Sequence, residues 1–377
     1  MQFRDLNAQY LYLKEKMDAA VLQSMQSGQY ILGKEVQILE QKLAEYVGVK
    51  HCIACANGTD ALVLSLMNFE IGKGDAVFAP DFTYFATINC AMLRGATPVL
   101  VDIDARTFNI SPEALEKAII ATQKQGKLTP KAIITVDLFG LCADYPQIEQ
   151  IAKKYNLILI EDAAQGFGGS IEGKKACSFA DIATTSFFPA KPLGCYGDGG
   201  AIFTNNDAYA QKFISLRAQG RSLEDKYDNQ SIGLNSRLDT LQAAVLNVKL
   251  EAFVNQELEA VNKVAARYTE ALQDIVTAPY IPAGYISSWA QYTLILKDNA
   301  QREGLKAYLQ EQEIPSMVYY PRGMHQQTAS VRYGCAAGEF SNTEKIVQTC
   351  LSIPIHPYLS ENEQDKVIMA IREYLGA

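Results

Sequence analysis

From His51 to Thr204 short apolar runs alternate with stretches of helical periodicity, and this alternation restricts the fold more than any other feature of the chain. Strands are expected at Cys52–Cys55, Ala76–Ala79, Pro98–Ile103, Ala132–Asp137, Leu157–Glu161, Asp181–Phe187 and Gly200–Thr204. Between them the pattern predicts helices from about Thr59, over Thr83–Leu93, after Ser111-Pro112-Glu113 and over 144–154; the serine supplies an N-cap and the proline a first-turn residue. Runs such as Leu157-Ile158-Leu159-Ile160 are apolar at every position, so both faces of the strand are covered. That is the signature of a mostly parallel sheet flanked by helices, an α/β fold.

Helical periodicity also covers residues 6–27 and 35–47, where Val36, Leu39, Leu43 and Val47 share a face. A further helical stretch runs from Arg237 to Leu272; unbroken it would be about 50 Å long, so it either bends or bridges two units. Beyond residue 276 the expected order is a strand at Gln291–Leu296 and helices over 301–312, 343–350 and 360–374, a small α+β arrangement. The expected division is a large α/β domain over 1–250, N-terminal helices included, and a C-terminal α+β domain over 251–377.

Composition matters for what it excludes. A net charge of -8 leaves no basic footprint for nucleic acid or an acidic membrane. No run approaches the length of a membrane span and Met1–Asn7 has no apolar signal core, so a soluble, cytoplasmic protein is expected. The eight cysteines then read as reduced thiols. Cys52 and Cys55, three apart in a strand, point to opposite faces and cannot share a metal, and with only His51, His325 and His356 no metal site is expected.

Ligands of open α/β sheets bind beyond the carboxyl ends of the strands. The first strand is followed there by Asn57-Gly58-Thr59-Asp60, a glycine and a hydroxyl at a helix start, suited to phosphate or simply an N-cap. The second is followed by Phe82-Thr83-Tyr84-Phe85, and the fifth by Asp162-Ala163-Ala164-Gln165, an acid and an amide on a small-residue turn. Ser186 ends the next and leads into Pro189-Ala190-Lys191-Pro192, where two prolines forbid regular structure and mount a lysine stiffly. A phosphate cradle, an aromatic face, a carboxylate, an amide and a lysine on one edge match pyridoxal 5′-phosphate, whose aldehyde takes a lysine as a Schiff base. The G-x-G-x-x-G of nicotinamide sites and the P-loop are absent.

Asn57–Leu62, Glu161–Gln165, Ser186–Gly194, Gly199-Gly200-Ala201 and Gly233–Arg237 resemble the DegT/DnrJ/EryC1/StrS family of pyridoxal-phosphate sugar aminotransferases, from about Leu6 to the C-terminus. The resemblance implies the aspartate aminotransferase-like fold, type I of the pyridoxal-phosphate transferases. Gly28–Gly33, Asn235–Ala244 and Pro354–Leu359 are most similar to the branch that aminates UDP-2-acetamido-2-deoxy-3-oxo-glucuronate at C3 for O-antigen; dTDP-linked 3-keto or 4-keto-6-deoxyhexoses are the alternative substrates. L-glutamate is the implied amino donor, and a homodimer with shared active sites the implied assembly. The branch that removes a sugar hydroxyl carries histidine in place of Lys191, and a non-catalytic regulatory relative would not keep Asp162, Gln165 and Lys191 together.

By the same resemblance Lys191 bonds the cofactor and shuttles the proton, Asp162 keeps the pyridine nitrogen protonated, and Gln165 bonds the ring oxygen. Tyr84 stacks on one ring face, Ala164 lies near the other, and Gly58, Thr59 and Ser186 hold the phosphate. Asn235 either reaches the phosphate in the neighbouring subunit or caps a helix. Arg237 is the candidate for a substrate carboxylate, Tyr319, Tyr320 and His325 match a segment bordering the sugar site, and Arg217 and Arg221 read equally as diphosphate ligands or solvated charges.

Overall fold

A computed structural model describes residues 1–225, 227–335 and 338–376. The chain opens with two helices, α1 (Leu6–Ser27) and α2 (Lys34–Val47), and then enters the alternation: β1 (His51–Cys55), α3 (Gly58–Asn68), β2 (Asp75–Pro80), α4 (Ala86–Leu93), β3 (Thr97–Val101), α5 (Pro112–Gln125), β4 (Thr129–Val136), α6 (Tyr145–Tyr155) and β5 (Ile158–Asp162). A small hairpin, β6 (Ser170–Ile171) and β7 (Lys174–Lys175), precedes β8 (Ile182–Ser186), β9 (Gly200–Thr204) and α7 (Asp207–Leu216). The C-terminal part carries α8 (Thr240–Ala252), α9 (Leu258–Leu272), β10 (Tyr285–Ile286), β11 (Tyr292–Ile295), α10 (Asn299–Glu311), α11 (Thr328–Tyr333), α12 (Ser341–Thr349), β12 (Cys350–Ile353) and α13 (Glu361–Leu375).

The seven-stranded sheet has the order β1-β9-β8-β5-β4-β2-β3. β8, β5, β4, β2 and β3 pair in parallel, and β9 alone runs against both its neighbours, β1 and β8. β1 therefore points the same way as the rest, and six carboxyl ends share one edge with the start of β9. Burial follows the sequence pattern. One face packs in a cluster that includes Cys52, Phe78, Ile133 and Leu159, and the other in a cluster with Ile53, Cys55, Val77, Ile134 and Ile160. Cys52 and Cys55 thus lie on opposite faces, and all eight cysteines are free and buried.

Three expectations need correction and a fourth is located. Residues 83–85 are loop and the helix begins at Ala86, since Phe85 offers no side-chain cap. The helix expected from Arg237 begins at Thr240, after Asp239, so Asn235 is not its cap. Its predicted bend is a five-residue π turn, Phe253–Glu257, between α8 and α9. That turn points Glu257 at the N-terminus, where it accepts from Gln9 Nε2 at 2.9 Å and Tyr358 Oη at 2.5 Å. Finally, β12 and α7 are elements the periodicity did not separate; Cys350-Leu351-Ser352-Ile353 follows α12 with no glycine or proline between them. β12 pairs antiparallel with β11 and backs a third apolar cluster, whose fully buried members lie between Val261 and Ile371.

Candidate active site

The shared strand edge opens on a cleft of about 560 Å³ lined by Asn57, Gly58, Thr59, Tyr84, Asp162, Ala164, Gln165, Ser186, Lys191, Tyr319 and Tyr320, among others. Its first wall is where β1, β8 and β9 meet. Asn57 caps α3, accepting from Asp60 N on its side chain at 2.8 Å and from Ala61 N on its carbonyl at 3.1 Å. Gly58 and Thr59 keep their N–H groups unpaired among the described residues, at the positive end of an 11-residue helix. A β-carbon on Gly58 would lie 2.8 Å from Ser186 Cβ, and one on Gly200 would lie 2.5 Å from the carbonyl carbon of Asn57. Only glycine lets these three backbones close up and place two N–H groups beside the Thr59 and Ser186 hydroxyls.

The second wall is the end of β5. Asp162 is 6% exposed, and its carboxylate accepts from Thr87 Oγ1 at 2.9 Å and from Ala164 N at 3.2 Å. Burial raises its pKa, while the Thr87 and Ala164 bonds and the Lys191 charge pull it back down. Gln165 is fixed at both ends: its Oε1 accepts from Phe139 N at 2.8 Å and its Nε2 donates to Tyr320 Oη at 3.0 Å. Tyr84 stands exposed at the mouth, its ring centroid 6.4 Å from that of Tyr320.

The third wall is the lysine loop, which has no regular structure between β8 and β9. Phe187 N donates to Gly199 O at 2.7 Å, Cys195 N to Phe187 O at 2.8 Å and Lys191 N to Phe188 O at 2.8 Å, so the loop is closed on itself. A side chain at Gly194 would meet Pro189 O at 2.4 Å. Burial holds the Lys191 ammonium down to about 8, with Asp162 opposing the shift and Arg4 adding to it. An amine poised near neutrality serves as nucleophile and as proton carrier.

Not every expected residue reaches the cleft. His325 is turned away and bonded to Asp81. Arg217 is neither solvated nor open to a ligand: it is 7% exposed and its Nη1 donates to Glu40 and to Ala54 O. Arg221 is exposed, and its backbone bridges Asn229. Asn235 is exposed with a backbone bridge to Ala218, and Arg237 is half-buried; neither lines the cleft. Conversely Thr87, Asp198 and Gln291 join the site unannounced. Thr87 is the second residue of α4, where nothing in the pattern marks a threonine that holds a carboxylate.

The residues that do converge fit pyridoxal phosphate: unpaired N–H groups and hydroxyls for a phosphate, a buried carboxylate for a ring nitrogen, an amide for a ring oxygen and a free amine for an aldehyde. The pattern of the DegT/DnrJ/EryC1/StrS aminotransferase family matches residues 12–372. The UDP-2-acetamido-2-deoxy-3-oxo-D-glucuronate aminotransferase of Pseudomonas aeruginosa is 45% identical over 98% of this chain and 99% of its own. A DegT/DnrJ/EryC1/StrS aminotransferase from Brucella abortus superimposes with a TM-score of 0.97 at 50% identity, covering 100% of both chains. NtdA from Bacillus subtilis, solved with its cofactor PMP bound, gives a TM-score of 0.89 at 29% identity over 97% of this chain and 82% of its own.

Proposed function

The chain belongs to the DegT/DnrJ/EryC1/StrS aminotransferase family, whose members depend on pyridoxal phosphate, and from that premise we propose that it moves the amino group of L-glutamate onto C3 of UDP-2-acetamido-2-deoxy-3-oxo-glucuronate. The observation that carries the catalytic half of this reading is the trio of Lys191, Asp162 and the unpaired Gly58 and Thr59 N–H groups around one cleft. The sugar rests on the 45% identical relative from Pseudomonas aeruginosa. O-antigen synthesis, in the cytoplasm, is the proposed setting; among the described residues no helix is long and apolar enough to cross a membrane.

When bound, the cofactor supplies an aldehyde that condenses with amines and a ring that withdraws electrons from the neighbouring C–H bond. Lys191 would hold the cofactor by its aldehyde, and its Nζ, when free, would be the proton carrier. Asp162 holds the ring nitrogen's proton, with Thr87 and the Ala164 N–H keeping its carboxylate oriented. Of the residues lining the cleft, Gly58, Thr59 and Ser186 would hold the phosphate, Gln165 would bond the ring oxygen, and Tyr84 and Ala164 would flank the ring. Tyr319 and Tyr320 face the sugar.

We take Asn235 and Arg237 to serve the neighbouring subunit of a homodimer. Both miss their own cleft, and the segment that carries them runs on to Asp239 and Thr240, which meet exposed Ile31 and Tyr30, Thr240 N donating to Tyr30 O at 2.9 Å and Ile31 bridging Asp239. The division at residue 250 is supported by the separate apolar cluster from Val261 onward.

The test is to load the enzyme's amino form with glutamate and offer UDP-2-acetamido-2-deoxy-3-oxo-glucuronate beside dTDP-linked 3-keto and 4-keto-6-deoxyhexoses. The UDP-sugar is expected to be aminated fastest; a dTDP-sugar turning over faster would overturn the substrate. Lys191→Ala is expected to abolish turnover while still retaining cofactor noncovalently, and near wild-type turnover would remove Lys191 from its role.

A further inference from the structure

We infer that Asp81 and His325 form a clamp that positions Tyr319 and Tyr320 over the cleft for the sugar half of the reaction, an inference that rests on the function proposed above. Asp81 directly follows β2, on the loop that leads to Tyr84, and its own N–H is anchored on Val101 O at 2.8 Å. Three donors from one turn converge on it. Met324 N donates to its carbonyl at 2.7 Å, His325 N to Oδ1 at 2.7 Å, and His325 Nδ1 pairs with Oδ2 at 2.6 Å. The Asp81 side chain is fully buried, and the His325 ring stacks on Phe340 at 4.6 Å and 17°. Glu344, mostly exposed, stands 3.9 Å from the other ring nitrogen. The chain passes so close over the carboxylate that a β-carbon on Gly323 would lie 2.6 Å from Asp81 Oδ2.

Neither residue lines the cleft. What they hold does. The clamped turn is joined through Pro321 and Arg322 to Tyr320, which takes the Gln165 Nε2 bond and sets its ring 5.9 Å from that of Phe82, the residue after Asp81. Asp81 and Phe82 thus grip both ends of one short segment, one by hydrogen bonds and one by ring contact. Removing either partner of a buried hydrogen-bonded pair leaves the other unpaired and frees whatever it held. Asp81 and His325 are positioning residues, acting through Tyr319 and Tyr320.

The experiment uses the cofactor-loaded enzyme and Asp81→Ala, His325→Ala, the double variant and Asp81→Asn, which keeps an acceptor for the His325 N–H. In both alanine variants faster hydrogen exchange over residues 317–326 is expected, with KM for the UDP-ketosugar raised by about tenfold and single-turnover amination by glutamate within about twofold of wild type. The double variant is expected to be no worse than the weaker single one, and Asp81→Asn to recover most of the loss. Unchanged exchange and KM overturn the clamp. So does a parallel fall of both half-reactions with thermal stability, or full additivity in the double variant. A wild-type enzyme that aminates no ketosugar would count against the proposed function, and the exchange data would still decide the clamp.

Discussion

Asp137 and Glu161 lie side by side beneath the site, both fully buried, and both carboxyls are raised by burial. Asp137 Oδ1 accepts from Tyr145 Oη and Ala143 N, Glu161 accepts from Cys177 N and Phe179 N, and Asp137 Oδ2 is left without a donor. A proton on Glu161 supplies that donor, leaving one negative charge on the pair. Burial raises Asp137 above the ordinary carboxylate range, and a raised folded-state pKa means the folded protein holds the proton more tightly. That stabilisation is complete below about pH 4 and is lost as pH rises through the raised folded-state value, with a slope of up to about 1.4 kcal/mol per pH unit for each carboxyl. His356, held down to about 4, acts in the opposite sense between pH 4 and 6.5, so the clean readout is a difference between variants. Glu161→Gln, which keeps a donor to Asp137 but removes the second raised carboxyl, is expected to flatten the fall in urea-unfolding stability as pH rises from about 5 to 7. A profile parallel to wild type would mean that the pair shares no proton.

At the scale of elements, the cradle depends on three backbones meeting without side chains. Gly58→Ala brings a β-carbon to 2.8 Å from Ser186 Cβ, an atom with no flexible end to swing away. It is expected to cost about 1–3 kcal/mol of stability and to weaken cofactor binding by spreading the two N–H groups from the hydroxyls. Thermal unfolding with a cofactor titration checks this, and undiminished affinity would separate Gly58 from the phosphate. This edge was legible in the sequence because apolar runs place strand ends and the residues after them carry the chemistry. Less was legible where the outcome depends on tertiary contact. Thr87 looks like any helix threonine until Asp162 is seen opposite it. Phe253–Glu257 has the composition of ordinary helix, so its π turn is visible only through the partners of Glu257. In sequence Arg217 reads equally as a diphosphate ligand or a solvated loop charge, and only the fold brings Glu40 across to it. His325 matched a sugar-facing segment, but the carboxylate that turns it away is Asp81, far off in sequence.

For the molecule as a whole, the question is why a single chain leaves Asn235 and Arg237 outside its own cleft. In the proposed homodimer an exposed asparagine and a half-buried arginine, on the segment whose Asp239 meets exposed Ile31, would serve the cleft of a second copy. A two-fold pair makes this reciprocal, each subunit lending its arginine to the other's lysine. Lys191→Ala and Arg237→Ala are each expected to be inactive on the UDP-ketosugar as homodimers. In a mixed dimer one site combines both defects, whereas the other combines an intact Lys191 from one subunit with an intact Arg237 from its partner. Random pairing makes half the dimers mixed, so coexpression in equal amounts is expected to restore about a quarter of wild-type activity, whereas an arginine serving its own cleft would restore none. Recovery tracks the geometry of the pair and not the strength of any one contact, so a result of zero from well-folded mixed dimers would place Arg237 in its own subunit's site.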